Sequence, residues 1–314
     1  MEIRDIRYFK AVAEHGNVGR AADALNLSAT ALSKSLRRLE KSVGAKLVKR
    51  TSRGVELTAV GDALIARSGK LQLALEDIRH EAADLGSGRS GHVKVGHTVG
   101  LCEYCVSDAC SALREDAPDI SISVTALHGS QTMTAVRTGQ VDFLVHSIRV
   151  PIPIELVCEE LFRDHRIVYA SASHPLARRK RVTLAELVRE SWASEFGPTT
   201  WNQICELFEA NSLNTPKLLL QSNSLELRFA AVATSFLVTH GSSLLLRRAK
   251  QRFRFAELPV EGWHFERQVG VYYRKDGYLS PAAKRMIKIL KEQGRAITEG
   301  SASPFHSGRI SATR

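Results

Sequence analysis

Between Asn17 and Val43 the apolar positions fall into two short runs at helical spacing. Val18, Ala21, Ala22 and Leu25 form the first and Leu32, Leu36, Leu39 and Val43 the second, with Asn26-Leu27-Ser28 breaking the pattern. The spacing predicts a helix, a tight turn and a second helix. At about 100° per residue, Thr30, Ser33, Lys34 and Arg37 stand almost opposite the leucines of the second helix, so its outer face can hydrogen-bond and carries positive charge. Ser28 is a natural N-cap, which leaves free N–H groups and the positive dipole end to face a phosphate. Such a helix fits the major groove of DNA, although a Ser/Lys/Arg stripe serves equally well as a solvated face.

The flanking pattern extends this unit. Residues 2–14 predict a first helix with Ile3, Ile6, Phe9, Val12 and Ala13 facing inward, ended by His15-Gly16. After Gly44, Lys46-Leu47-Val48-Lys49 and Gly54-Val55-Glu56-Leu57 predict two short strands around the basic turn Arg50-Thr51-Ser52-Arg53. Residues 1–58 are thus expected to form a winged helix-turn-helix, mainly α, with Arg53 at the wing tip able to enter a minor groove or touch phosphate. Thr58 is placed to cap a long helix in which Leu64, Leu71, Ile78 and Leu85 recur at heptad spacing, with Leu75 and Ala82 on the other seam position. That period predicts coiled-coil pairing, hence a dimer and a two-fold DNA site; packing on its own domain is the alternative. Residues 59–91 form this dimerisation helix and a hinge, Gly86-Ser87-Gly88-Arg89-Ser90-Gly91.

Beyond the hinge, strand-like runs (Val93–Gly96, Ile120–Leu127, Val141–Val145) alternate with helical stretches (Tyr104–Arg114, Gln131–Thr138), and similar alternation continues from Arg166 to Phe255. Parallel βαβ units are implied. Val269–Tyr273 reads as a strand returning to the first unit before a terminal helix, Ser280–Gln293. The expected domain, residues 92–298, has one lobe of about 92–161 plus 266–298 and a second of about 162–265, with a ligand cleft between them. Residues 299–314 read as a disordered tail.

Charge sharpens the picture. The chain of 314 residues has a formal net charge of +11, and from Met1 to Thr58 twelve Lys/Arg face six Asp/Glu, so more than half of the excess lies in the N-terminal module. MEIRDIRYF has no apolar signal-like core and no run is long enough to span a bilayer, so a cytoplasmic protein with no membrane partner is expected. Five cysteines, an odd number, argue for reduced thiols. The absence of G-x-S-x-G, G-x-G-x-x-G, P-loop and H-E-x-x-H patterns argues against an enzyme.

The segment RYFKAVAEHGNVGRAADALNLSATALSKSLRRLEKSVGAKLVKRTSRGVELTAVGDALI resembles throughout the N-terminal signature of LysR-type transcriptional regulators, and RTGQVDFLV resembles part of their effector domain. The resemblance covers nearly the whole chain. It implies a homotetramer built as a dimer of dimers, a winged helix-turn-helix on a dyad-symmetric promoter site, RNA polymerase as a candidate further partner, and a two-lobed, periplasmic-binding-protein-like α/β effector domain. A small inducer in the cleft then shifts the DNA-bound arrangement by binding one state better. The expected DNA-contacting residues are Arg20, Ser28, Ala29, Thr30, Ser33, Lys34, Arg37, Arg38, Lys49, Arg50 and Arg53. Two departures bear on readout. Ala29-Thr30 replaces the common Gln-Pro and removes an adenine-reading amide, and Val48-Lys49-Arg50 adds a cation beside the wing.

Carried over by position, the cleft is lined by Thr98, Val99, Gly129, Ser130, His146, Ser147, Phe196, Thr199, Thr200 and Trp201. Thr98 and Pro198-Thr199-Thr200 both start predicted helices, which favours an anionic effector such as a carboxylate; no cofactor and no metal are expected. Phe196 and Trp201 would be flat walls or plain core. His97, His128, His146 and His240 sit at predicted strand ends, where one or two touching an acidic inducer is a better reading than a metal site. Cys102, Cys105 and Cys110 leave a redox-sensing regulator as the alternative function, against idle or buried thiols.

Overall fold

Three N-terminal helices form where the apolar spacing predicts them. The computed structural model describes residues 1–52, 54–87, 91–98, 100 and 103–299, and in it α1 (Ile3–His15), α2 (Val18–Ala24) and α3 (Ala29–Val43) bury Phe9, Val12, Ala21, Ala22, Leu32 and Leu39 against one another. Ile3, expected inside, is 55% exposed because it precedes the first turn that packs. Local chemistry sets the ends. The Asn17 side chain accepts from Gly19 N–H and the Ser28 hydroxyl accepts from Ala31 N–H (2.8 and 3.1 Å), while Gly16 and Gly44 close α1 and α3 at positive φ.

The wing is an antiparallel pair, β1 (Val48–Thr51) and β2 (Gly54–Leu57). The first strand starts at Val48 and not at Lys46, because Glu40 at the end of α3 takes both preceding residues. Its carboxylate accepts from Lys46 Nζ (2.8 Å) and from Leu47 N–H (3.0 Å). Gly54 has φ 135°, and a Cβ there would overlap the Gly16 carbonyl oxygen, which itself accepts from Val55 N–H at 2.8 Å. Only glycine lets the wing approach the end of α1 this closely.

Behind α3 lies a fully buried carboxylate. Asp5 accepts from the Ser35 hydroxyl (2.5 Å) and from two N–H groups of Arg38, Nε at 2.9 Å. The Arg38 hydrogen bonds hold its pKa below the usual value, with burial opposing and Ser35 assisting. Thr58 begins α4 (Ala59–Ser87) by accepting from Gly61 N–H (3.0 Å). On α4, Leu64 packs on the helical core, whereas Leu71, Ile78 and Leu85 are 40%, 61% and 82% exposed.

The chain divides into two compact units, Met1–Arg79 and His80–Arg314, with the boundary inside α4. In the second, β3 (His92–Thr98), α5 (Glu103–Asp116), β4 (Ser121–Leu127), α6 (Gln131–Arg137) and β5 (Phe143–Ser147) form parallel βαβ pairings, β3 lying between β4 and β5. β6 (Leu156–Ser171) then crosses to a second lobe of α7 (Leu184–Leu187), β7 (Ser191–Ser194), α8 (Pro198–Ala210), β8 (Lys217–Gln221), α9 (Leu225–Ala233), β9 (Val238–Ser242), α10 (Ser243–Ala249) and β10 (Phe255–Leu258). β11 (Phe265–Arg274) crosses back to α11 (Pro281–Thr298). The strand order β4-β3-β5-β11-β6-β9-β7-β8, with β10 beside β6, makes one sheet shared by both lobes. The expected parallel pairing holds within each lobe, while β6, β10 and β11 run antiparallel. Val93, Val95, Phe143 and Leu290 lie in one core; Trp192, Ile204 and Phe208 lie in the other. The expected tail after Glu299 lies outside the described residues.

Two outcomes follow for the N-terminal unit. Asp5→Asn removes the buried charge that Arg38 answers and is expected to lower stability by about 1–3 kcal/mol. The native pKa is depressed, so the contribution is complete above the unfolded value of about 4 and fades as pH falls through the lower native one. Urea midpoints of wild type and variant should therefore converge on acidification, and a gap that widens would contradict the pairing. Gly54→Ala should cost at least about 1–3 kcal/mol, the strained φ accounting for that much and the overlap with the Gly16 carbonyl oxygen adding to it, read by the same titration.

Candidate nucleic-acid interface and ligand cleft

In the N-terminal unit, Arg20, Ser28, Ala29, Thr30, Lys34, Arg37, Lys49 and Arg50 are exposed and Ser33 is half-buried. Helix α3 turns Leu32, Leu36 and Leu39 inward, which puts Thr30, Ser33, Lys34 and Arg37 on its outer side. Lys34 and Arg37 form no ion pair among the described residues, so their charges are available to a phosphate or a base edge. Arg38 is exposed as well, with its side chain 44% accessible, but it is already engaged. Its guanidinium is committed to Asp5 and lies 3.8 Å from Glu2, so it orients α3 from behind. Arg53 lies outside the described residues.

In the second unit, a cavity of about 560 Å³ opens between the lobes, at the C-terminal ends of the parallel strands. The first lobe contributes Thr98, His128, Gly129, His146, Ser147 and Arg149; the second contributes Glu195, Phe196, Thr200, Gln203 and Asn223. The crossing strands supply Arg166 from β6 and Phe265, Glu266, Arg267 and Gln268 from β11. Asn223 Oδ1 accepts from Phe196 N–H at 3.0 Å, which fixes the loop that carries Phe196 and Glu195.

Electrostatics divides the lining. Arg267 is tied to the buried Asp164 (2.8 Å) and Arg228, behind the cavity, to Glu195 (3.2 Å). Arg166 is 8% exposed, donates only to Thr200 Oγ1 at 3.4 Å and forms no ion pair among the described residues. Burial and the charge of Arg267 lower its pKa to about 10, so it stays charged at neutral pH. Burial works against the Glu195 carboxylate, yet His240 and the Arg228 and Arg166 guanidiniums outweigh it and bring its pKa to about 2. Burial lowers His240 to about 3, so at neutral pH the two arginines hold Glu195 ionised while His240 stays neutral, its Nε2 2.9 Å from the Ser194 hydroxyl. Burial, aided by Arg149, likewise lowers His146 to about 4 and leaves a neutral ring whose buried Nδ1 has no partner among the described residues.

Of the residues expected at the cleft, Thr98, Gly129, His146, Ser147, Phe196 and Thr200 line it. Trp201 does not. Its ring meets Trp192 edge-on at 5.7 Å in the second core, because that face of α8 covers the sheet. Ser130 is exposed outside the cavity, while Val99 and the side chain of Thr199 lie outside what is described. Arg166, Arg267, Glu195, Gln203, Asn223 and Gln268 are unforeseen lining residues. One signal was present, since Asp164 and Arg166, two apart in a strand, share a face. Cys105 is buried, burial raises the Cys110 thiol, and Cys102 lies outside the described residues. Among the described residues no group of three His, Cys, Asp or Glu could hold a metal, and no helix is long and apolar enough to cross a membrane.

Residues 3–62 match the family described as bacterial regulatory helix-turn-helix protein, lysR family, and residues 86–295 match the LysR substrate binding domain. The chain is 28% identical over 296 residues to the HTH-type transcriptional regulator GbpR of Azospirillum brasilense, covering 93% of this chain and 86% of that protein. The fold is similar to that of CbnR, a LysR family transcriptional regulator, with TM-score 0.62 at 18% identity over 93% of this chain and 99% of that one. It is also similar to full-length CbnR complexed with its target DNA, with TM-score 0.52 at 19% identity over 94% and 100%. With both matches spanning most of its length, this chain belongs to the LysR family of bacterial helix-turn-helix transcriptional regulators.

Proposed function

We propose that this regulator reads a dyad-symmetric DNA site as a homodimer or homotetramer, and that a small organic anion in the cleft sets its DNA-bound state. The observation that carries the reading is the outer face of α3, where Thr30, Lys34 and Arg37 are exposed and the two cations are unpaired among the described residues. Arg37 and Lys34 supply phosphate attraction; Thr30 and Ser33 supply short polar reach to base edges where Gln-Pro is absent. The exposed Leu71, Ile78 and Leu85 stripe of α4 supports pairing with a second copy. CbnR, solved with its target DNA, supports the mode of binding.

Sheared genomic DNA retained by the purified protein, once sequenced, should give discrete dyad-symmetric peaks. Thr30→Ala, Lys34→Ala and Arg37→Ala should each weaken them, a base contact by about 1–3 kcal/mol and a phosphate contact by about one unit of salt slope, with little change in folding stability. Diffuse, salt-sensitive retention unaffected by Thr30→Ala would sink the sequence-specific reading. Ile78→Glu, which puts a charge on the α4 stripe, should shift sedimentation toward monomer and weaken retention; an unchanged oligomer would remove the coiled-coil argument.

A further inference from the structure

We infer that the ligand of the cleft is a hydroxylated carboxylate, its carboxylate held by Arg166 and Thr200 and one of its hydroxyls donating to Glu195; this rests on the reading of the cleft as the effector site. Each neighbouring arginine has its own acid, the half-buried Arg267 on Asp164 and the buried Arg228 on Glu195. Arg166 is also buried and, among the described residues, has only the long bond to Thr200. A buried guanidinium at the wall of a cavity, which Glu195 and Asp164 compensate only from beyond ion-pair distance, still has room for an anion at its donors, and its planar fork suits a carboxylate.

Glu195 restricts what else that anion carries. It is ionised and lines the same cavity, so a ligand offering only acceptors would meet repulsion there. A hydroxyl beside it converts that repulsion into a charge-assisted hydrogen bond. The amides of Gln203 and Gln268 and the Nδ1 of His146, unpartnered among the described residues, offer donors and acceptors to further hydroxyls. A hydrocarbon body, aromatic or aliphatic, would desolvate these groups and leave them unmatched.

Intrinsic fluorescence offers a readout, because all three tryptophans lie in the second lobe and Trp263 Nε1 donates to the Arg166 carbonyl at 2.9 Å. The probes are sodium gluconate, sodium hexanoate and sorbitol at equal ionic strength, which carry charge with hydroxyls, charge alone and hydroxyls alone. Gluconate should give a saturable emission change and raise the melting midpoint, with hexanoate and sorbitol at least about tenfold weaker. Arg166→Gln should weaken gluconate by about tenfold or more and Arg166→Lys, which keeps the charge without the fork, by less. Glu195→Gln should narrow the preference for gluconate over hexanoate. Each variant is first checked for a cooperative melt, and Thr200→Val provides a milder lesion should Arg166→Gln unfold. Hexanoate binding as well as gluconate, sorbitol binding equally, gluconate unaffected by Arg166→Gln, or no saturable response to any probe would each overturn the assignment. Discrete genomic peaks alongside such a result would remove only the ligand class, whereas diffuse retention would remove the regulator reading itself.

Discussion

The fully buried carboxylate of Asp164 is the joint on which the ligand-binding unit depends. It accepts from Arg267 Nε on β11 (2.8 Å) and from the Ser242 hydroxyl at the end of β9 (2.7 Å), so three strands meet on one charge where the sheet passes between lobes. Burying that carboxylate without these donors would be prohibitive, which couples the crossing of β6 and β11 to the second lobe. Arg166, two residues along and on the same face, inherits its position from this joint. A ligand touching Arg166 and His146 therefore touches both sides of the pivot. In the proposed function, a ligand could transmit only the difference in how well such contacts are made in the states it selects between.

The same chemistry separates structural cations from functional ones in both units. Arg38 on Asp5, Lys46 on Glu40, Arg267 on Asp164 and Arg228 on Glu195 each stand against a carboxylate at least partly withdrawn from water. Each acid is satisfied by its base, and together they set an angle between elements. Lys34, Arg37 and Arg166 have no such partner among the described residues. On α3 the unpaired charges are solvated and cost little; on β6 the charge is buried, which is what the proposed anionic ligand would answer.

What was legible in the sequence was what is local. The heptad and helical periods, the Ser28 cap, the Gly16 and Gly44 stops and the β–α alternation depend on neighbours within a few residues, and they located the elements of the N-terminal unit and the first lobe, while for the second lobe they gave the alternation without its individual bounds. What was missed depends on distant partners. The late start of β1 reflects the grip of Glu40 on Lys46 and Leu47, across a chain reversal that no period records. Trp201 illustrates the same limit at the cleft. An aromatic on the first turns of α8 suits a ligand wall or a core equally, and only the position of Trp192 beneath it decides. Phe196, one loop earlier, is more than half exposed and does line the cavity.

The contrast between the thiols and the cleft bears on how a signal enters the protein. A cysteine that reacts readily with an oxidant needs a nearby cation and a depressed pKa. Burial raises Cys110 and Cys158 and also Cys205, the last two with glutamates adding to the effect. The cations that would favour a thiolate are concentrated elsewhere, around a cavity with an arginine that forms no ion pair among the described residues, an ionised glutamate and two neutral histidines nearby. Charge recognition at β6 is therefore a better supported entry point for a signal than sulfur chemistry at Cys110, Cys158 or Cys205, because a buried arginine without an ion pair among the described residues lies there and burial keeps those three thiols protonated.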